Sequence, residues 1–171
     1  RDMPAYLGGS VTVPYKTTIM EFLDEIDIRA QRIGAVNTIA RGPDGRLVGY
    51  NTDAQGAVDS IKRKMPGQEA PFLPGLSGLK VLMIGAGGAG KAVAFAVAEE
   101  VGSSGRVVIA NRSPEKASEL AKSVNAAYGN AESVSEQDLS SVLSESQLVI
   151  NASVRGQSGL RQLPQGKTTC L

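Results

Sequence analysis

The spacing of apolar and polar residues changes period several times along this chain, and each change marks an element. Val11 and Val13 alternate with Ser10 and Thr12, which predicts a short half-buried strand ended by Pro14. From Thr17 or Thr18 the spacing becomes helical: Ile19, Phe22, Leu23 and Ile26 form one stripe, with Glu21, Asp24 and Glu25 facing water. Ala35 to Ala40 and Leu47 to Asn51 read as two strands joined by Gly42-Pro43-Asp44-Gly45, a strong turn signal, so a hairpin is predicted. Asn37 and Asn51 are polar residues near the ends of these otherwise apolar strands. Thr52-Asp53 then opens a helix to about Lys64 on Ala57, Val58 and Ile61; for either opening residue a helix N-cap is a sufficient explanation.

Residues 65–78 contain Pro66, Gly67, Pro71, Pro74, Gly75 and Gly78, which break regular structure. They predict a linker between a first domain, 1–64, and a second, 79–171. The second domain opens with the apolar run Val81 to Ile84, followed by Gly85, Gly87 and Gly88 and the alanine-rich stretch Ala89 to Glu100. That is a strand, a tight turn and a helix start, and the strand Arg106 to Ala110 completes a βαβ unit. Ser113 as N-cap and Pro114 at the first helical position start a helix to about Val124. Ser135 and Asp138 offer a cap for a short helix to about Leu143, and Leu148 to Asn151 is a further strand before a loop-like tail. Such alternation predicts an α/β fold with a Rossmann-like parallel sheet and right-handed crossovers. Ligands of such sheets sit at the carboxyl ends of the strands, where Gly85, Asn111 and Asn151 fall.

Glycines at 85, 87 and 88 permit positive φ and close approach of a pyrophosphate, and the helix that follows offers free N–H groups and its positive dipole end. A dinucleotide phosphate site is the functional reading; a bare tight turn is the plain one, and the βαβ context favours the former. The cofactor ribose is read at the end of the second strand, where Asn111-Arg112-Ser113 supplies a cation and no carboxylate, favouring NADP over NAD. Composition narrows the rest. The 18 Lys and Arg nearly cancel the 17 Asp and Glu, so bulk charge points to a small-molecule partner rather than nucleic acid or an anionic membrane. A single cysteine, Cys170, leaves no disulfide or multi-cysteine metal site within one chain. No apolar run reaches membrane-spanning length, and a cytoplasmic location is expected. The absence of histidine removes every mechanism in this chain that needs an imidazole acid, base or metal ligand, so no metal is expected and proton transfer falls to Lys, Asp, Glu, Tyr or Cys.

Four motifs occur in order: Ser10-Val11-Thr12-Val13-Pro14-Tyr15-Lys16, Ile33-Gly34-Ala35-Val36-Asn37-Thr38, Gly49-Tyr50-Asn51-Thr52-Asp53 and Gly85-Ala86-Gly87-Gly88-Ala89. Together they resemble the shikimate dehydrogenase family, including its quinate-using relatives. The resemblance implies NADP-dependent reduction of 3-dehydroshikimate to shikimate in aromatic amino-acid biosynthesis, with a homodimer compatible with it. Lys16 matches the family's catalytic lysine and Asp53 its partner aspartate, where composition alone would leave Lys16 a solvated surface residue. By the same resemblance Thr12, Asn37 and Asp53 hold ring hydroxyls. Gly85, Gly87, Gly88 and Ala89 form the pyrophosphate loop, Asn111, Arg112 and Ser113 hold the adenosine phosphate, and Asn151 to Ser153 lie near the nicotinamide. Ser10 departs from the family's usual asparagine, and Val154-Arg155 from its small hydroxyl residues. The family's N-terminal strand and helix and its C-terminal helices have no counterpart in the 171 residues, so a fragment is expected, with the smaller α/β substrate domain present only in part.

Overall fold

The computed structural model describes residues 6–12, 14–64, 66–135 and 137–153. The expectations for Val13, for the loop 154–156 and for Cys170 lie outside them. The chain divides into two compact units, one running to Leu76 and taking in Lys91–Glu100, the other comprising Ser77–Gly90 and the chain from Val101 onward. No helix of the described residues is long and apolar enough to cross a membrane.

The first unit is built on a four-stranded sheet in the order β1-β3-β4-β2, from β1 (Gly8–Ser10), β2 (Glu25–Ile26), β3 (Thr38–Arg41) and β4 (Leu47–Tyr50). β3 and β4 form the predicted hairpin, with Arg41 opposite Leu47 and the turn closed by Gly42 N–H donating to Arg46 O at 2.8 Å. β1 runs antiparallel to β3 but ends at Ser10, so Val11 and Thr12 of the expected strand lie beyond it, with Val11 N–H still donating to Asn37 O at 2.7 Å.

The helix expected from Thr17 through Ile26 does not form. A 3-10 turn covers Thr18–Phe22, and Leu23 is extended (φ −96, ψ 151). The reason is Asp24: its carboxylate accepts from Leu47 N at 2.9 Å while its own N–H donates to Leu47 O, so the chain turns onto the edge of β4 as β2. Ile19, Leu23 and Ile26 still pack against the buried cluster of Ala30, Val36, Ile39 and Leu47, whereas Phe22 is 61% exposed.

α1 (Ile28–Ile33) follows, an element the apolar spacing did not reveal. Asp27 caps it by accepting from Arg29 N and Ala30 N, and Gly34 ends it at φ 71. α2 (Asp53–Lys62) starts one residue past the hairpin's Asn51-Thr52 end. In the same unit Arg29 pairs with Glu99 at 3.3 Å and Lys62 with Glu100 at 2.5 Å.

The second unit holds an all-parallel sheet in the order β7-β6-β5-β8. Its strands are β5 (Lys80–Ile84), β6 (Arg106–Ala110), β7 (Ala131–Val134) and β8 (Leu148–Asn151), and its helices α3 (Gly88–Val101, shared with the first unit), α4 (Pro114–Tyr128) and α5 (Leu139–Glu145). Val81 to Ile84 and Val107 to Ala110 are buried along their whole length, the continuous apolar run of a strand covered on both faces. On one face Leu82, Ile84, Val108 and Ala110 form a cluster against which Leu139 and Val142 of α5 pack.

β7 was not foreseen, because an edge strand with exposed Glu132 and Ser133 carries little apolar pattern. It is pinned by Asn125, whose side chain accepts from Ala131 N at 2.7 Å and donates to Ala131 O at 2.6 Å. Ser113 occupies the N-cap position of α4 but makes no side-chain cap bond; its hydroxyl donates to Glu115 Oε2 at 2.8 Å instead.

Candidate functional site

On the first unit, a turn brings Lys16 out just ahead of the 3-10 segment: Tyr15 N–H donates to Thr12 O at 2.9 Å, and Val36 N–H donates to Lys16 O at 2.8 Å. Lys16 Nζ lies 2.5 Å from Asp53 Oδ2, with the two side chains 28% and 39% exposed. This ammonium–carboxylate pair is therefore partly open to solvent. Asp53 stands at the first position of α2, where a carboxylate also meets the positive end of the helix dipole.

Asn37 is buried at 8% exposure beside this pair. Its Oδ1 accepts from Thr52 N at 3.0 Å and from Thr38 Oγ1 at 2.9 Å, while its Nδ2 donates to Thr52 Oγ1 at 3.1 Å. Its second amide hydrogen is left without an acceptor among the described residues. Thr12 is exposed, and its carbonyl closes the turn before Lys16. Thr52 sits at the N-cap of α2 without a side-chain cap bond. Asn51 was not among the expected site residues; its Oδ1 accepts from Asp53 N at 3.2 Å and its Nδ2 donates to Ala35 O at 3.1 Å. The signal in the sequence was the spacing of Asn51 two residues before Asp53, the reach of an asparagine side chain to its own backbone.

On the second unit, β5 leads into the glycine loop at the point where the sheet reverses its strand order, with β6 on one side and β8 on the other. Gly85 has φ 109, and a Cβ there would lie 2.8 Å from Ser153 N and 2.9 Å from the Ala152 carbonyl carbon. A Cβ on Gly90 would lie 2.3 Å from Gly85 O, so α3 starts hard against the end of β5. Gly87 and Gly88 are the opposite case, with nothing within 4 Å of an added Cβ. The loop is therefore glycine for packing at two positions and open at the two that begin the helix. An anion can reach the N–H groups there, and a side chain would fill that space.

The ends of the neighbouring strands complete this region. Asn111 Oδ1 accepts from Ala86 N at 3.1 Å, and its Nδ2 donates to Ser113 O at 3.1 Å, so one side chain ties the glycine loop to the end of β6. Arg112 is exposed and pairs with no described residue. Glu115 is also exposed, and the hydroxyl of Ser113 holds its carboxyl below the usual range. Asn151 Oδ1 accepts from Ser153 N at 3.0 Å and from Ser153 Oγ at 2.7 Å, and Ala152 N–H donates to Ile84 O. Ala89 lies in the first turn of α3. Among the described residues no group of three or more His, Cys, Asp or Glu could hold a metal ion.

A parallel sheet whose glycine turn and helix start lie at the strand-order switch defines a Rossmann-like α/β fold. Residues 69–161, more than half of the chain, match the family described as shikimate / quinate 5-dehydrogenase, and residues 1–39 match the shikimate dehydrogenase substrate binding domain. The chain belongs to the shikimate/quinate dehydrogenase family. It is 40% identical over 169 residues to a shikimate dehydrogenase (NADP(+)) of Bacillus licheniformis, covering 96% of this chain and 56% of that protein. A Thermus thermophilus shikimate 5-dehydrogenase solved with NADP(H) and shikimate is similar at 36% identity and TM-score 0.68, over 88% of this chain and 49% of that one. A Corynebacterium glutamicum quinate dehydrogenase solved with NAD is similar at 29% identity and TM-score 0.72, over 88% of this chain and 50% of that one. The chain thus spans about half the length of the relatives it matches.

Proposed function

We propose that this chain carries the substrate- and cofactor-binding elements of an NADP-dependent shikimate dehydrogenase, which interconverts 3-dehydroshikimate and shikimate. The observation that carries the reading is the solvent-open Lys16–Asp53 pair in a chain with no histidine. The Bacillus and Thermus relatives, named for NADP and shikimate, support it.

NADP supplies the hydride chemistry when bound. The chain's own residues bind it and manage the proton. The N–H groups at the start of α3, with Gly87 and Gly88 leaving room, suit a pyrophosphate, and Gly85 holds the loop in place beneath them. Asn111, Arg112 and Ser113 are the candidates for the adenosine phosphate, and Asn151 and Ser153 for the nicotinamide side. In the reducing direction charge builds on the substrate's carbonyl oxygen; the Lys16 ammonium stabilises it and delivers a proton from Nζ. Asp53 accepts from Lys16, fixing the ammonium's direction, and its other oxygen is the candidate for a ring hydroxyl. Thr12 and the Asn37 amide are the candidates for the remaining ring hydroxyls.

The test is reduced-nicotinamide absorbance with shikimate or quinate against NADP or NAD, on the 171-residue chain and on a chain extended to the relatives' length. Signal that needs both shikimate and NADP is expected from the extended chain. An extended chain that binds NADP yet turns over neither acid would point to a non-catalytic nucleotide-binding module.

A further inference from the structure

We infer that Asn51 is the positioning residue of the Lys16–Asp53 pair, acting through the single peptide group between Ala35 and Val36. The inference rests on the catalytic reading of that pair given above. Both faces of the peptide group are used. Its oxygen, Ala35 O, accepts from Asn51 Nδ2 at 3.1 Å, and its N–H, on Val36, donates to Lys16 O at 2.8 Å. The same Asn51 side chain accepts from Asp53 N at 3.2 Å. The backbones of the lysine and the aspartate, 37 residues apart in sequence, are therefore joined through one side chain and one planar amide.

The start of α2 explains why this duty falls to an asparagine. The first N–H groups of a helix have no acceptor within it and are ordinarily taken by the N-cap side chain. Thr52 makes no such bond, because its hydroxyl is engaged with Asn37. Two asparagines take over: Asn37 accepts from Thr52 N and Asn51 from Asp53 N. The Asp53 carboxylate is thereby spared capping and is directed to Lys16. Asn51 spans from Asp53 to the peptide whose N–H donates to Lys16 O, because its amide is acceptor at one end and donor at the other.

Two variants separate this role from plain helix capping. Asn51→Ala removes both links. Asn51→Asp keeps an acceptor for Asp53 N–H, and aspartate caps helices as well as asparagine, but it has no hydrogen to give Ala35 O. With shikimate and NADP, both variants are expected to lose turnover by roughly 10- to 100-fold, as misplacement of a reacting group does, with KM for shikimate changed far less. Crystal structures of both should show the Lys16–Asp53 contact opened past the roughly 4 Å limit of an ion pair. Wild-type turnover and an intact contact in Asn51→Asp would overturn the proposal, leaving Asn51 a cap. If Asn51→Ala does not fold, Asn51→Asp decides alone. Should the wild-type protein show no shikimate turnover, the functional reading falls, and the contact distance in the variants still judges the bridge.

Discussion

Gly87 and Gly90 lie three residues apart, yet an added Cβ would meet open space at one and backbone at the other, so on the proposed function replacing each by alanine should separate binding from stability. At Gly90 an added Cβ would stand 2.3 Å from Gly85 O and 2.9 Å from Gly85 C, well under the 3.0 Å that real contacts keep. The atoms it meets are backbone, and Gly85 is held by its own N–H donating to Ala110 O at 2.8 Å. The helix start and the strand end must therefore part by more than half an ångström. Overpacking costs about 1–3 kcal/mol, and a 2.3 Å approach to backbone belongs to the upper part of that range, so against a gain of about 1 kcal/mol in helix propensity Gly90→Ala should be destabilised by about 1–2 kcal/mol.

Gly87 has φ −78 and ψ −175, a conformation any residue adopts, and its Cβ would meet nothing. The weaker N-cap preference of alanine and the reduced freedom of the unfolded chain are each below or near about 1 kcal/mol and opposed, so stability should hardly change. If the pyrophosphate binds there as proposed, the new methyl would crowd it, and NADP affinity should fall by about tenfold or more, the equivalent of about 1.4 kcal/mol. Urea unfolding and NADP titration of both variants check this. Unchanged NADP affinity in Gly87→Ala would refute the assignment of that space, and wild-type stability in Gly90→Ala would refute the close approach.

Three further outcomes are expected. Gly49→Ala places a Cβ 2.4 Å from Leu23 Cδ1 and 2.8 Å from Val36 Cγ2, and should lower the stability of the first unit by about 1–3 kcal/mol in urea unfolding. Arg112→Ala should weaken NADP much more than NAD, because a solvent-exposed cation at the end of β6 suits the extra phosphate; equal losses in the two titrations would count against that role. The ammonium of Lys80, 2.5 Å from Glu145, donates to that carboxylate and holds it below its usual range. Its contribution is then present above the unfolded glutamate's range and lost as pH falls through the lower, folded value. The small stability gap between wild type and Glu145→Gln at neutral pH should close in acid, as followed by urea midpoints across the pH range.

The second unit was the more legible in sequence, because its strands are buried on both faces and its turns are marked by glycine. Val81 to Ile84, Arg106 to Ala110 and Leu148 to Asn151 stand as strands within a residue of their expected bounds. β7 escaped notice because only Ala131 of its four residues is fully buried, and its place is fixed by Asn125 rather than by apolar pattern. In the first unit the stripe of Ile19, Leu23 and Ile26 reports burial correctly but not the conformation that achieves it. One aspartate, Asp24, exchanges helical bonds for a tie to Leu47 that sequence spacing does not contain. Lys16 and Asp53 drew attention through family resemblance. Around them, the bonds of Asn51 to Ala35 O and between Asn37 and Thr52 span 15 or 16 residues and leave no periodic trace, while only the short Asn51–Asp53 bond is legible in the spacing.

The most direct test of the central claim is the turnover of Lys16→Ala with shikimate and NADP in the extended chain, alongside its NADP affinity. Loss of the only ammonium bonded to Asp53 among the described residues should lower turnover by about 10²–10⁴-fold and leave NADP binding near wild type. Turnover at the wild-type level would contradict the claim and remove Lys16 from the chemistry.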